Sequence, residues 1–277
     1  MQSVNQKNNS QKTSPKIAII AGRGELPKII FDKLGSAFVI GFESDANEVL
    51  PADFLGNMGQ IGSIVAALKA AEISKIVFAG GIIKPKIKDL KLDKEAAQLL
   101  GKMAFTKIFK KLPGDDSLFK MIINYLESHG FAAIGVDEVM PELLAEFGAL
   151  GVLKPDAQML ENIKLGCECA KKLGKKDLGQ AVVYAGGKLI ASEDVKGTDN
   201  LLERAAKICT DKKVLVKCIK PQQDRRIDLP SIGVHTIEKL AALGFAGVAV
   251  EAEHSLIIGK EKVAARADEL GVFVWGV

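Results

Sequence analysis

Short apolar runs alternate with helix-forming segments through the first half of the chain, and this alternation restricts the fold more than any other feature. The runs are KIAII (residues 16–20), FVIGF (38–42) and KIVFAGG (75–81). The segment IGSIVAALKAAEI, between the second run and the third, carries the apolar stripe of a surface helix. Strands that alternate with helices usually pair in parallel, with the helices on the faces of the sheet. The pattern therefore predicts an α/β fold that begins with a Rossmann-like parallel sheet.

The first apolar run leads into AGRGELP (21–27), which places Gly22 and Gly24 between a strand and a helix. Small residues at this point let the backbone approach a phosphate, and the helix N-terminus adds positive potential. A third glycine is missing and Pro27 stands near its place, so a tight turn that only opens the helix accounts for the same residues. In the functional interpretation, Gly22 and Gly24 bind the substrate.

The second half has a different pattern. Residues 156–173 predict one amphipathic helix with Gly174 as its C-cap. Two β-rich runs then flank a glycine hairpin at residues 185–188. An antiparallel hairpin does not fit one continuous doubly wound sheet, so we predict two domains. The first is the Rossmann-like domain over residues 16–140, and the second is a mixed α/β domain over residues 141–277. The polar residues 1–15 predict a disordered tail and no signal peptide.

The segment KCIKPQQDRRIDLPSIG (217–233) concentrates charge between a buried strand and a helix. It carries two aspartates, Asp224 and Asp228, together with Arg225 and Arg226. Carboxylates can hold Mg²⁺ or position water, and guanidinium groups can neutralise phosphoryl oxygens. A solvated loop with two local ion pairs would show the same composition.

A second polar group precedes the helix-forming stretch NLLERAAKIC. Thr198 and Asp199 stand at the predicted start of this helix. Either residue could cap the helix, or both could face a phosphate or a metal ion.

Composition excludes some function classes. The net charge of +4 suits anionic small molecules or an anionic membrane surface, and it is too small for a dedicated nucleic-acid surface. Aromatic residues make up only 5 %, which argues against a stacking platform for single strands. The cysteines lack the spacing of a zinc site or a disulfide framework, so we expect reduced thiols in a cytosolic protein. These cysteines are Cys167, Cys169, Cys209 and Cys218.

Several motifs together resemble one family. The second half contains GQAVVYAGGKLIASEDVKGTDNLLERA, VLVKCIKPQQDRRIDLPSIGVHTIE, GVAVEAEHSLIIG and GVFVWGV, and the first half contains AGRGELP and LPGDDSLFKMIINYLESHGF. In this order and spacing, over residues 16–277, they resemble the UDP-2,3-diacylglucosamine pyrophosphatases of the LpxI type. The specific part is the QDxRxD core followed by LPxIG, with GTD upstream.

The resemblance implies hydrolysis of UDP-2,3-diacylglucosamine to UMP and 2,3-diacylglucosamine 1-phosphate, a step of lipid A biosynthesis. It also implies Mg²⁺ dependence and a lipid held between two α/β domains. We expect Asp224, Asp228 and Arg226 to be catalytic, with Asp224 and Asp228 as the metal ligands. The predicted substrate-binding residues are Gly22, Gly24, Lys217, Lys220, Gln223, Arg225, Thr198 and Asp199. The sequence departs from the expected pattern at Lys196, where an acidic residue would precede GTD.

Two other functions remain open at this stage. A nucleotide-sugar or dinucleotide oxidoreductase would use the AGRGELP turn, with Glu43 or Asp45 as the acidic residue after the second strand. A non-catalytic protein of the same shape would bind the UDP-lipid and leave it intact.

For location, we expect a cytoplasmic protein that touches the inner membrane peripherally, since no apolar run approaches the ~20 residues of a spanning helix. The candidate contact is KMAFTKIFKK (102–111), with lysines beside Phe105, Ile108 and Phe109. An ordinary core helix whose lysines face solvent would have the same sequence pattern. The sequence also leaves open whether the protein forms a homodimer.

Overall fold

The computed structural model describes residues 16–43, 50–81, 91–104, 115–208 and 212–277. The predicted tail, Asp45, Cys209 and residues 105–111 of the lysine-rich segment lie outside these ranges. Within them the chain forms two large sheets, one in each half, and a small two-stranded sheet.

The first sheet is parallel throughout, as the alternating pattern predicts. Its strands follow the order β3-β2-β1-β4-β5. They are β1 (Ile17–Ala21), β2 (Phe38–Phe42), β3 (Phe54–Gly56), β4 (Lys75–Ala79) and β5 (Ala132–Ile134). The helices of this half are α1 (Leu26–Leu34), α2 (Ile61–Ala70), α3 (Lys94–Ala104), α4 (Asp115–Ser128) and α5 (Val136–Val139). The short strand β3 and the one-turn helix α5 were not predicted.

The strand order creates a crevice at one point of this sheet. The chain moves from β1 to β2 on one side, and β4 then pairs with the other side of β1. The connections on the two sides of β1 therefore diverge at the carboxyl ends of β1 and β4. Open α/β sheets bind ligands at such a switch point.

The second sheet is mixed, which confirms the predicted α/β domain of separate topology. Its order is β6-β13-β11-β9-β7-β8, with β9, β11 and β13 parallel and the outer pairs antiparallel. Its strands are β6 (Gly148–Leu150), β7 (Ala181–Ala185), β8 (Lys188–Ser192), β9 (Lys213–Lys217), β11 (Phe245–Val250) and β13 (Phe273–Gly276). The small sheet pairs β10 (Ser231–Ile232) with β12 (Leu256–Ile257). Gly186 and Gly187 form the predicted hairpin, with φ of 54° and 74°.

Helices cover both faces of the second sheet. They are α6 (Ala157–Lys175), α7 (Gly197–Ile208), α8 (Val234–Ala242) and α9 (Lys260–Leu270). Helix α6 begins at Ala157, and the carboxylate of its N-cap residue, Asp156, accepts a hydrogen bond from Met159 N at 2.8 Å. The prediction that Gly174 caps this helix is wrong, because the helix continues to Lys175. Gly174 instead permits a close contact, since a Cβ there would lie 3.1 Å from Lys220 Cα.

The loop between β9 and β10 (residues 218–230, the β9–β10 loop) joins the two halves. Its Ile227 packs against the core on one face of the first sheet, which includes Ile20 and Phe78. Its Leu229 is buried in the core on the other face, with Ile19 and Val77. The loop therefore crosses the end of the first sheet and is held by apolar contacts on both faces.

Within the described ranges, no helix combines the length and the apolar character needed to cross a membrane.

Candidate active site between the two sheets

A cavity of about 200 Å³ lies where the β9–β10 loop meets the switch point of the first sheet. The turn after β1 and the turn after β4 form one wall, and the loop with the start of β10 forms the other. The residues that matter here are Arg23, Gly24 and Gly80 from the first wall, and Arg225, Asp228 and Ser231 from the second. The two sequence segments predicted to bind substrate therefore share one cavity.

The two predicted glycines have different roles in this cavity. The amide of Gly22 donates to Ala79 O at 2.8 Å, and a Cβ on Gly22 would lie 2.6 Å from Gly81 O. Gly22 therefore lets the two turns approach each other, and its N–H is used in the hydrogen bond to Ala79 O that joins them. Gly24 has a φ of 92° and lines the cavity. Helix α1 follows directly, so its N-terminus also faces this space.

Asp224 is turned towards Arg226 of the same loop. Its Oδ1 accepts from Arg226 Nε at 2.9 Å and from Arg226 N at 3.1 Å, and its Oδ2 accepts from Nη2 at 2.7 Å. These hydrogen bonds hold the pKa of the Asp224 carboxyl below its usual value, although partial burial opposes the shift. Asp224 does not line the cavity.

Asp228 lines the cavity, and its Oδ2 accepts from Gln223 Nε2 at 2.8 Å. The backbone brings the two aspartates into one turn, because Ile227 N and Asp228 N both donate to Asp224 O, at 3.0 and 3.4 Å. Of the two predicted metal ligands, Asp228 faces the cavity and Asp224 lies behind it in an ion pair with Arg226.

The arginines connect the loop to the first domain. Arg226 Nη1 donates to Glu127 Oε1 of α4 at 2.7 Å. Arg225 lines the cavity, and its guanidinium donates to Asp137 of α5 and to two groups of the β11–β12 turn. Sequence reasoning missed Glu127 and Asp137. Glu127 stands in the segment LPGDDSLFKMIINYLESHGF and Asp137 outside the quoted motifs, and each contacts a partner about ninety or a hundred positions further along the chain, which local sequence does not reveal.

Lys217 is a buried lysine beside the site. Its Nζ donates to Ser231 O at 2.9 Å, at the point where the loop ends on the cavity wall. Burial lowers the pKa of the Lys217 ammonium below its usual value of 10.5, and the nearby carboxylates of Glu193, Asp228 and Asp199 oppose this shift. Lys217 therefore fixes the carboxyl end of the loop close to Asp228.

The remaining predicted residues lie around the loop. Lys220 Nζ pairs with Asp177 Oδ1 at 2.7 Å, beyond the end of α6. Thr198 Oγ1 donates to Glu193 Oε1 at 2.6 Å, and Asp199 pairs with Lys239 Nζ at 3.2 Å. The prediction that Thr198 or Asp199 caps α7 is wrong, because the helix begins at Gly197 and both residues lie in its first turn.

The described residues contain no group of three or more His, Cys, Asp or Glu side chains that could enclose a metal ion. The acidic residue proposed for a dinucleotide site, Glu43, pairs with Lys91 at 3.0 Å. The described cysteines, Cys167, Cys169 and Cys218, are free thiols. A hydrogen bond from Cys218 lowers the pKa of the Cys167 thiol.

Comparison with known proteins decides the family. The model of the LpxI N-terminal domain matches residues 16–143, and the model of the LpxI C-terminal domain matches residues 146–275. The chain belongs to the LpxI family. Among curated proteins, the UDP-2,3-diacylglucosamine pyrophosphatase LpxI of Caulobacter vibrioides is 33 % identical, over 95 % of this chain and 97 % of that protein. The resemblance that the motifs indicate is therefore confirmed, and both LpxI domains contribute a wall to the cavity.

Proposed function

We propose that this LpxI family member hydrolyses the pyrophosphate of UDP-2,3-diacylglucosamine to UMP and 2,3-diacylglucosamine 1-phosphate, a step of lipid A biosynthesis. The observation that carries the proposal is the shared cavity. There the QDRRID loop meets the glycine turn at the switch point of a parallel sheet. The Caulobacter relative is named for this substrate and reaction.

In the proposed reaction, the oxygen of a water molecule bonds to one phosphorus of the pyrophosphate. The bond from that phosphorus to the bridging oxygen breaks, and each product leaves as a phosphate monoester. Asp228 lines the cavity, where it is placed to orient that water and to accept the proton that the water loses. Lys217 lies behind the same wall, where its hydrogen bond to Ser231 O fixes the end of the loop, and its protonated form would add positive charge there.

Arg226 is the cation proposed to neutralise charge on the pyrophosphate. In the structure it is held by Asp224 and Glu127. An arriving pyrophosphate offers a guanidinium the same forked acceptor geometry as a carboxylate. Substrate binding therefore competes with Asp224 for Arg226, and the exchange releases the Asp224 carboxylate next to Asp228.

The donor set is compatible with Mg²⁺. This ion prefers oxygen ligands and is usually held by one or two carboxylates together with substrate phosphate, so it does not require an enclosed three-ligand site. We propose that Asp228 and the released Asp224 hold it. When bound, Mg²⁺ would act as a Lewis acid that withdraws charge from the phosphoryl oxygens.

We also propose peripheral contact with the inner membrane, because a diacylated substrate partitions into lipid. The net charge of +4 supports this contact, and the candidate segment remains residues 102–111. Co-sedimentation with anionic liposomes should fall when Lys102, Lys107, Lys110 and Lys111 are changed to Glu. Unchanged co-sedimentation would remove the segment from the proposal.

Mass spectrometry of UDP-2,3-diacylglucosamine incubated with the protein and Mg²⁺ tests the proposed function. We expect UMP and 2,3-diacylglucosamine 1-phosphate in equal amounts. Intact substrate that co-elutes with the protein would support a non-catalytic lipid-binding protein. A product formed only with an added nicotinamide cofactor would support the oxidoreductase.

A further inference from the structure

Arg225 is surrounded by acceptors from both domains. Its Nε and Nη2 donate to Asp137 Oδ2 at 3.1 and 2.7 Å, across the boundary between the loop and α5. Its Nη2 also donates to Glu253 O at 2.9 Å, and its Nη1 lies 2.6 Å from His254 Nδ1. Since a guanidinium can only donate, Nδ1 of His254 accepts, which requires the neutral imidazole with its proton on Nε2.

The acceptors of Arg225 are themselves fixed in place. Asp137 is in the first turn of α5, directly after Val136, which lines the cavity. Its side chain is only 14 % exposed, so the pair with Arg225 is partly shielded from water. Glu253 has a φ of 60°, a conformation that costs free energy for a residue other than glycine, and this turn directs its carbonyl oxygen to Arg225.

We infer that Asp137 is a positioning residue for the reaction. Through Arg225 it holds the β9–β10 loop against the switch point of the first sheet, so that Asp228 faces the cavity. The sequence analysis predicts that Arg225 binds the substrate. The inference gives Arg225 a further role, which is to connect the two domains. It rests on the proposed function for its kinetic test, while its structural test is independent of activity.

The arrangement explains why an ion pair is used here. The loop carries its charged side chains over the end of a sheet that it does not belong to, where apolar contacts of Ile227 and Leu229 and the ion pair of Arg226 with Glu127 also hold it. The pair between Asp137 and Arg225 restricts the orientation of the guanidinium, because its Nε and Nη2 must both meet the single oxygen Oδ2. A displacement of about 1 Å at a reacting group can reduce the rate about 100-fold.

The first test compares Asp137→Asn with Asp137→Glu. The Asn variant keeps the shape but loses the charge, and we expect kcat to fall about 10- to 100-fold with KM changed less than about threefold. The Glu variant keeps the carboxylate and should recover most of the loss. Glu72→Gln is the matched control, because it removes an exposed ion pair with Lys16 inside the first domain and should leave kcat unchanged.

The second test measures amide hydrogen exchange of the β9–β10 loop in the wild-type protein, Asp137→Asn and Arg225→Lys. A lysine keeps the charge but lacks the planar pair of donors, so the loop amides should exchange faster in both variants than in the wild type. Equal kcat in wild type and Asp137→Asn, or an equal loss in the Asn and Glu variants with unchanged exchange, would overturn the inference. A wild-type protein that cleaves no UDP-2,3-diacylglucosamine would overturn the proposed function instead, and the exchange rates would still decide the role of Asp137.

Discussion

Arg226 holds Asp224 in a fork, with Nε donating to Oδ1 at 2.9 Å and Nη2 donating to Oδ2 at 2.7 Å. The third nitrogen, Nη1, donates to Glu127 of the first domain at 2.7 Å. The guanidinium expected to bind the pyrophosphate is thus already shared by two carboxylates. If the pyrophosphate binds Arg226 as proposed, it replaces at least one of these contacts and so couples this cation to the acidic residues of the loop.

The fork predicts an acid-dependent contribution to stability. Because Arg226 lowers the pKa of Asp224 in the folded state, the contribution is complete above the unfolded pKa of about 3.8 and is lost as pH falls through the folded pKa. We expect the free energy of unfolding, measured in urea from about pH 6 to about pH 2.5, to fall more steeply in the wild type than in Asp224→Asn. Parallel curves for the two proteins would show that the fork makes no such contribution.

A second prediction concerns the buried Lys217. Because burial lowers its folded pKa, the unfolded chain binds more protons between that pKa and 10.5, and this group makes stability rise with pH there. Lys217→Met replaces a buried ionisable amine with an apolar side chain, so its melting temperature near neutral pH should be at least that of the wild type. Its kcat should nevertheless fall at least tenfold, because Ser231 O loses its donor and the end of the loop is no longer fixed beside Asp228.

Lys213 provides the control at the opposite end of the same strand. Its Nζ bonds to Gly244 O at 3.3 Å and lies over the ring of Phe245, away from the cavity. Lys213→Met should keep the wild-type kcat. Equal kcat in both variants would remove Lys217 from the site.

The third prediction concerns the contact between the two glycine turns. A Cβ on Gly22 would lie 2.6 Å from Gly81 O, so Gly22→Ala forces the turns after β1 and β4 apart. We expect a loss of about 1–3 kcal/mol in the free energy of unfolding. A Cβ on Gly81 would meet nothing within 4 Å, so Gly81→Ala should unfold like the wild type in the same urea titration. A similar loss in both variants would contradict the role given to Gly22.

The fourth prediction concerns the metal ion. If carboxylates of the loop hold Mg²⁺ together with the substrate, removal of divalent ions by a chelator should abolish turnover, and added Mg²⁺ should restore it. The folded protein should keep its melting temperature in the chelator, since the described residues contain no enclosed metal site. Full turnover in excess chelator would exclude the metal.

Local patterns in the sequence predict the fold of this chain well. The parallel sheet follows from apolar runs that alternate with helices, and the mixed second domain follows from the hairpin at Gly186 and Gly187. Short strands such as β6 and β10 were missed because two or three residues carry no detectable period. Gly174 was misassigned because a glycine near a helix end predicts a cap, whereas here it allows close approach to Lys220.

The candidate site was predicted only as far as local sequence allows. The QDRRID loop and the glycine turn were both identified, and the structure places them at one cavity. The QDRRID loop is connected to the helices of the first domain through Asp137 and Glu127. These contacts join distant parts of the chain, and no local pattern encodes them. Asp224 and Asp228 differ in orientation because Asp224 bonds to Arg226 and Asp228 bonds to Gln223 within the loop, a choice that the spacing of the residues does not reveal.

The central claim, that the β9–β10 loop carries out hydrolysis, is tested most directly by the turnover of UDP-2,3-diacylglucosamine in Asp224→Ala and Asp228→Ala. Neither change removes a large apolar surface, so the variants should fold, and burial of acyl chains at roughly 0.8 kcal/mol per CH₂ should preserve substrate binding. We predict that the wild type releases UMP while at least one variant retains bound, uncleaved lipid. Wild-type rates of UMP release from both variants, with only the melting temperature lowered, would contradict the claim and leave the aspartates as structural anchors of the loop.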